Sequence, residues 1–167
     1  MDSVVRPFQE KDLEACVDLY METFARPPWS ETWGRTVVRA RLDQITRTPH
    51  FFGLIAEKAG PSEEAEAAGE GGEGGRHDVP VAFVLGYEEP WHQGSHFYLK
   101  EMCVHPDHQR QGIGSRLMES LTTTLKERGA QRLYLLTSRD DLSESFYTKA
   151  GFYTSRKMIL MARTLSG

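Results

Sequence analysis

Cysteine is nearly absent: this chain of 167 residues has two, Cys16 and Cys103, far apart and in no C-x-x-C arrangement. The fold must therefore stand without disulfide or cysteine–metal staples. No signal-peptide pattern opens the sequence, and a reducing cytoplasm is the expected compartment. No apolar run approaches the roughly 20 residues of a membrane-spanning helix, so no membrane association is expected. Positive charge is also short, with 20 Lys and Arg against 24 Asp and Glu for a net charge of −4. Such a field does not attract nucleic acid, and it suits a cationic small molecule better. What is present is 39% hydrophobic residues, enough for one ordinary core, and a single domain over 1–167 is expected.

The most informative stretch is 96–125, HFYLKEMCVHPDHQRQGIGSRLMESLTTTL. Phe97 and Leu99 share one parity and Met102 and Val104 the other, so the apolar alternation slips between them. A β-bulge near Lys100 and Glu101 produces such a slip. Pro106 and Asp107 end the strand, and Ile113, Leu117, Leu121 and Leu125 recur at every fourth position as one face of a helix that starts close to Gly112. Between strand and helix run Gln109, Arg110, Gln111, Gly112, Ile113, Gly114 and Ser115. The two glycines let backbone approach a ligand with no Cβ in the way. The first helical amides lack intrahelical partners and the macrodipole adds positive charge there, which suits phosphate oxygens. Arg110 and Arg116 can add charge-assisted bonds. A purely structural turn would show the same pair of glycines.

Gln109, Gly112 and Gly114 resemble the [Gln/Arg]-x-x-Gly-x-[Gly/Ala] acyl-CoA-binding segment of the GNAT superfamily of N-acetyltransferases. Val104-His105-Pro106 ahead of it, and Ser145 with Phe146-Tyr147-Thr148-Lys149-Ala150-Gly151-Phe152 after it, are similar to that family's strand end and carboxy-terminal helix. The resemblance implies an α/β fold: one mixed, mostly antiparallel sheet with a bulged central strand and flanking helices. It implies acetyl-CoA as co-substrate, no metal, and a pyrophosphate held along residues 109–115. A bulged strand leaves N–H groups without ladder partners, so those of Met102 or Cys103 can face the thioester oxygen, and Val104 can pair with the pantetheine arm.

Tyr147 matches the tyrosine that in many members protonates the departing thiolate. Its unperturbed pKa of about 10 lies above the ~8.5 of a thiol, so donation becomes reasonable as the sulfur gains charge. The alternative is a core tyrosine bonded to backbone. Glu101, beside the bulge, can orient the acceptor amine or serve as its base through water; the alternative is a solvated strand charge. Lys100 stands where polyamine acetyltransferases place an acid, and Asp140 where the family often has asparagine. His105 and His108 form H-x-x-H, but nothing completes a closed metal set.

Elsewhere, Leu13, Cys16, Val17, Tyr20 and Phe24 mark a first helix, and Val38, Leu42 and Ile45 a second over 31–45. Trp29 and Trp33, between the two, either anchor the bend or line a pocket for the acceptor. Residues 51–57 and 80–87 read as a hairpin whose connector, 59–78, is rich in Gly and Glu and expected to be mobile. A strand at 133–137, a helix capped by Asp141 and Glu144 and closed by Gly151, and a last strand pair at 152–163 complete the expectation. The function expected is acetyl transfer from acetyl-CoA to a primary amine. A small cationic acceptor is favoured over a protein or peptide, or over an acyl-CoA-binding sensor without turnover; a homodimer is possible.

Overall fold

The structure, a computed structural model, describes residues 3–59 and 78–165. Apart from its two end residues, the expected mobile connector lies outside the described residues. The chain divides into two compact units, Met1–Leu135 and Leu136–Gly167. No helix among the described residues is long and apolar enough to cross a membrane.

In the first unit, β1 (Val4–Pro7) leads through a 3-10 turn (Glu10–Asp12) into α1 (Leu13–Ala25) and α2 (Arg35–Thr46). An antiparallel meander of β2 (Phe51–Ala59), β3 (Asp78–Trp91) and β4 (Gly94–Val104) follows. Then α3 (Ile113–Glu127) returns the chain to β5 (Ala130–Tyr134), which pairs with β4 in parallel. The sheet order is β1-β2-β3-β4-β5. One face packs Cys16, Val17 and Tyr20 of α1 and Val38, Leu42 and Ile45 of α2 against Ile55, Phe83, Leu85 and Cys103. The strand residues that alternate with these, such as Leu54 and Val84, are buried too, and α3 packs against β2 and β3 with Ile113, Leu117, Leu121 and Leu125 all buried. Each fully buried Leu or Ile contributes about 1.5–3 kcal/mol relative to exposure.

The bulge sits where the slipped alternation places it. Leu85 pairs with Glu101 and Gly86 with Leu99, so Lys100 is the extra residue of β4. As a result Phe97, Leu99, Met102 and Val104 share one face, while Glu101 and Cys103 turn to the face of α1 and α2. Opposite the bulge only glycine fits: a Cβ on Gly86 would lie 2.3 Å from the Tyr98 carbonyl oxygen and 2.6 Å from the Phe97 ring.

Boundaries differ from the sequence expectation at α2 and at β5. Helix α2 starts at Arg35 and not at 31, because residues 31–34 close the bend: Glu31 N–H donates to Phe24 O at 2.8 Å, the Glu31 carboxylate accepts from Trp33 Nε1 at 2.6 Å, and the Gly34 carbonyl accepts the first helical bonds. Strand β5 covers Ala130–Tyr134 and not 133–137. Its last partner on β4 is Tyr98, just before the Lys100 bulge, where a continued ladder would meet displaced backbone.

The second unit carries α4 (Leu142–Lys149). Asp141 caps it by accepting from Ser143 N–H and Glu144 N–H at 2.8 and 3.0 Å, while the Glu144 carboxylate reaches the N–H of Asp140, one residue beyond the position a capping box uses. At the other end Gly151 takes φ 92°, its N–H donates to Thr148 O, and the Phe152 N–H donates to Tyr147 O at 3.0 Å. That pair of bonds is a Schellman cap. The strand pair expected at 152–163 does not form. A strand exists by virtue of a ladder partner, and here Met158, Ile159, Leu160 and Met161 are exposed in chain without ladder bonds.

Candidate active site

Beyond Tyr98, β4 keeps its pairing with β3 as far as Val104 but has no partner on β5. Its carboxyl half therefore offers one edge of backbone groups to another extended molecule. The chain leaves this edge through a tight turn. His105 N–H bonds Val81 O at 2.8 Å, the Gln109 side-chain amide donates to Val104 O at 3.0 Å, and that of Gln111 donates to Asp107 O at 3.0 Å. Lys58 Nζ reaches Gln111 Oε1 at 2.7 Å, and Arg26 holds Asp107 at 2.8 Å, which ties the turn to β2 and to the end of α1.

Arg110 and Gly112 both adopt left-handed backbone, φ 58° and 79°. Nothing lies within 4 Å of a Cβ built on Gly112, so glycine is favoured there by its backbone conformation alone and the space beside it is open. The Arg116 N–H is the one that bonds the Gly112 carbonyl, at 3.0 Å. The amides of Ile113, Gly114 and Ser115 precede it in the first turn, at the positive end of a helix of 15 residues. Residues 109–112 are exposed and Ile113 is buried beneath them, which leaves the turn accessible and its base anchored.

Glu101 points to the other side, under α2. Its side chain is 8% exposed and bonded by Arg41, with Nε at 2.6 Å from Oε1 and a second guanidinium nitrogen on the same oxygen. Burial raises its carboxyl above the ordinary range, with the Arg41 guanidinium pulling the other way. The Arg41 guanidinium lies 6.0 Å from the Trp33 ring centroid, and Trp33 meets Tyr20 edge-on at 5.6 Å. Trp33 is thus half-buried against the core and also beside the Arg41–Glu101 pair. Trp29 packs on Phe24, ring centroids 5.2 Å apart. Cys103 is buried opposite Phe83, and desolvation holds its thiol well above the usual range.

Arg41 is the residue of this group that sequence reasoning left among the polar remainder of α2. The signal was its spacing: three after Val38 and four before Ile45, it stands on the apolar stripe. Tyr147, in the second unit, is half-buried with its ring edge-on to Phe146 at 5.2 Å and to Phe152 at 5.5 Å. The second contact accompanies the Schellman cap, so the cap fixes the tyrosine's seat. Among the described residues no three His, Cys, Asp or Glu side chains gather as a metal site; His105 bonds Glu22 at 2.8 Å and the Asp107 N–H.

A family model described as the acetyltransferase (GNAT) family matches residues 13–152. No curated protein matches the chain. Among solved structures, a transcriptional regulator from Bacillus halodurans C-125 is 22% identical with a TM-score of 0.66, covering 97% of this chain and 100% of its own. An aminoglycoside acetyltransferase from an uncultured soil metagenomic sample, in complex with trehalose, is 16% identical with a TM-score of 0.67, over 98% of this chain and 97% of its own. An aminoglycoside N-acetyltransferase in complex with CoA is 15% identical with a TM-score of 0.66, over 99% and 96%. At such identities the likeness is one of fold.

Proposed function

This chain belongs to the acetyltransferase (GNAT) family, and on that premise we propose that it transfers an acetyl group from acetyl-CoA directly to a primary amine, with a small cationic amine as acceptor. The observation that carries the proposal is the course of β4: bulged at Lys100, free of β5 beyond Tyr98, and leading straight into the left-handed turn that opens α3. An open strand edge followed by a helix N-terminus fits a ligand that has amides along one part and phosphates at the next. Acetyl-CoA would supply the activated acetyl group; the rest is done by this chain. The amides of Met102 or Cys103 would stabilise the carbonyl oxygen as it gains charge, and Val104 would pair with the pantetheine arm. The amides of residues 110–115 would hold the phosphates, Gln109 would brace the turn through Val104 O, and Arg110 would lend charge.

Glu101, fixed by Arg41, would orient the acceptor's amine rather than sweep through solvent, and Trp33 with Trp29 would wall that side. Tyr147 would give its proton to the departing thiolate, a role supported by its place in the sequence. The chain's net charge of −4 favours a cationic acceptor.

The test is release of thiol from acetyl-CoA against a panel of amines, peptides and amino acids, with hydrolysis measured separately. Thiol release that rises with a small cationic amine is expected. A response to peptides alone would move the acceptor class, and binding of acetyl-CoA without transfer to any acceptor would make this a sensor.

A further inference from the structure

Tyr87 and Tyr98 are register partners in β3 and β4. Tyr87 lies two residues from Leu85, so both tyrosines stand on the face of the sheet that carries Glu101. Their rings meet edge-on at 5.8 Å, and Tyr98 stacks on Tyr134 of β5 at 4.6 Å with 11° between planes. The Tyr134 hydroxyl donates to Glu89, two residues beyond Tyr87 on the same face. This wall is braced from behind by a carboxylate, and all four side chains are half-buried. Tyr98 also carries a cation from the chain itself: the Lys100 ammonium lies over its ring, 4.6 Å from the centroid. Lys100 is the bulge residue, next to Glu101, so the ammonium on the ring is one lysine stem away from the backbone where the proposed reaction occurs.

The geometry points to a cation subsite made by Tyr98, Tyr87, Tyr134 and Glu89, in which the Lys100 ammonium is a tethered stand-in for a second positive centre of the acceptor. It rests on the reading of this site as an amine acetyltransferase and narrows the acceptor to a compact amine with two cationic nitrogens. The nitrogen that reacts must be neutral and stand at the bulge. The other stays charged, displaces Lys100, and lies on the π-face of Tyr98, where a cation is held electrostatically by the ring quadrupole. The spacing follows from the tether: a lysine stem has four carbons, so 1,4-diaminobutane has the right reach, and 1-aminobutane is its match in length with one charge fewer.

The experiment compares kcat/KM for these two amines at saturating acetyl-CoA in wild type, Lys100→Met, Tyr98→Leu and Tyr98→Phe, with acetyl-CoA affinity measured by calorimetry as the check on folding. Wild type should prefer the diamine. Lys100→Met, which vacates the ring, should raise that preference by about two- to five-fold, the worth of a cation on a partly exposed ring. Tyr98→Leu should erase it, and Tyr98→Phe, which keeps the ring face, should restore it. A preference untouched by Tyr98→Leu, or lowered by Lys100→Met, overturns the subsite. If wild type acetylates neither amine, the acetyltransferase reading fails separately, and titration of 1,4-diaminobutane into wild type and Tyr98→Leu decides: binding lost with the ring supports the subsite, and no binding to wild type overturns it.

Discussion

Arg41 and Glu101 stand 60 positions apart in sequence and meet through two guanidinium contacts on one buried carboxylate oxygen. Replacing Arg41 with Met would leave that carboxylate buried without its cation. A fully buried pair broken in this way costs about 3–5 kcal/mol; Arg41 is still 43% exposed, which brings the expectation to about 1–3 kcal/mol at neutral pH. The sign with pH follows from burial. Glu101 titrates above its ordinary value in the folded state, so its ionised form opposes folding at high pH, and protonation relieves that cost as pH falls through the raised value. Urea denaturation of Arg41→Met at pH 7 and pH 5 should show a smaller deficit at pH 5; equal deficits would mean that the charge is not what Arg41 compensates. Tyr147→Phe keeps the ring edge-on to Phe152 and removes only the hydroxyl. Acetyl-CoA affinity should hold while turnover drops by roughly the 10²–10⁴ of a lost positioned acid, and the alkaline limb of the profile should shift. Near-wild-type turnover with chemistry rate-limiting would return Tyr147 to packing.

The pair of β3 and β4 shows what a sequence discloses at the scale of an element. The bulge was legible because Phe97 and Leu99 break parity with Met102 and Val104, and a one-residue slip has no other cheap cause when both faces are covered. The opening of α3 was legible because Gly112 interrupts one apolar period and begins another. The end of β5 was not, since it is decided by where β4 departs from it and not by the residues of 133–137. Nor was the start of α2, because the Phe24 carbonyl that takes the Glu31 N–H lies in the preceding helix, a contact made only once the bend has closed. The apolar run at 158–161 suggested a strand from composition, but a strand needs a neighbour. Gly86 follows from the bulge itself. Gly86→Ala sets a Cβ against a backbone oxygen that cannot rotate away, so a loss of about 1–3 kcal/mol is expected by urea denaturation. An unchanged midpoint would show that the bulge yields.

For the molecule as a whole, Ala59 and Asp78 are register partners at the end of the β2–β3 ladder, so the two ends of the connector are already a strand spacing apart. Replacing residues 60–77 by a two-residue hairpin turn should shorten the closed loop and leave the melting temperature within a few degrees, since closure entropy depends only weakly on length. A large fall would show that the excursion packs. The proposed acetyl transfer depends on one ligand meeting β4's open edge and the first turn of α3 together, and the direct measurement is calorimetric binding of acetyl-CoA to wild type and to Gly114→Val. Position 114 lies inside α3, where valine's helix propensity is no worse than glycine's, but its methyl groups would stand where phosphate oxygens approach the first-turn amides. Saturable binding to wild type and at least roughly tenfold weaker binding to the folded variant, a loss of 1.4 kcal/mol or more, is the result predicted. Equal affinity in a variant that melts like wild type would contradict it.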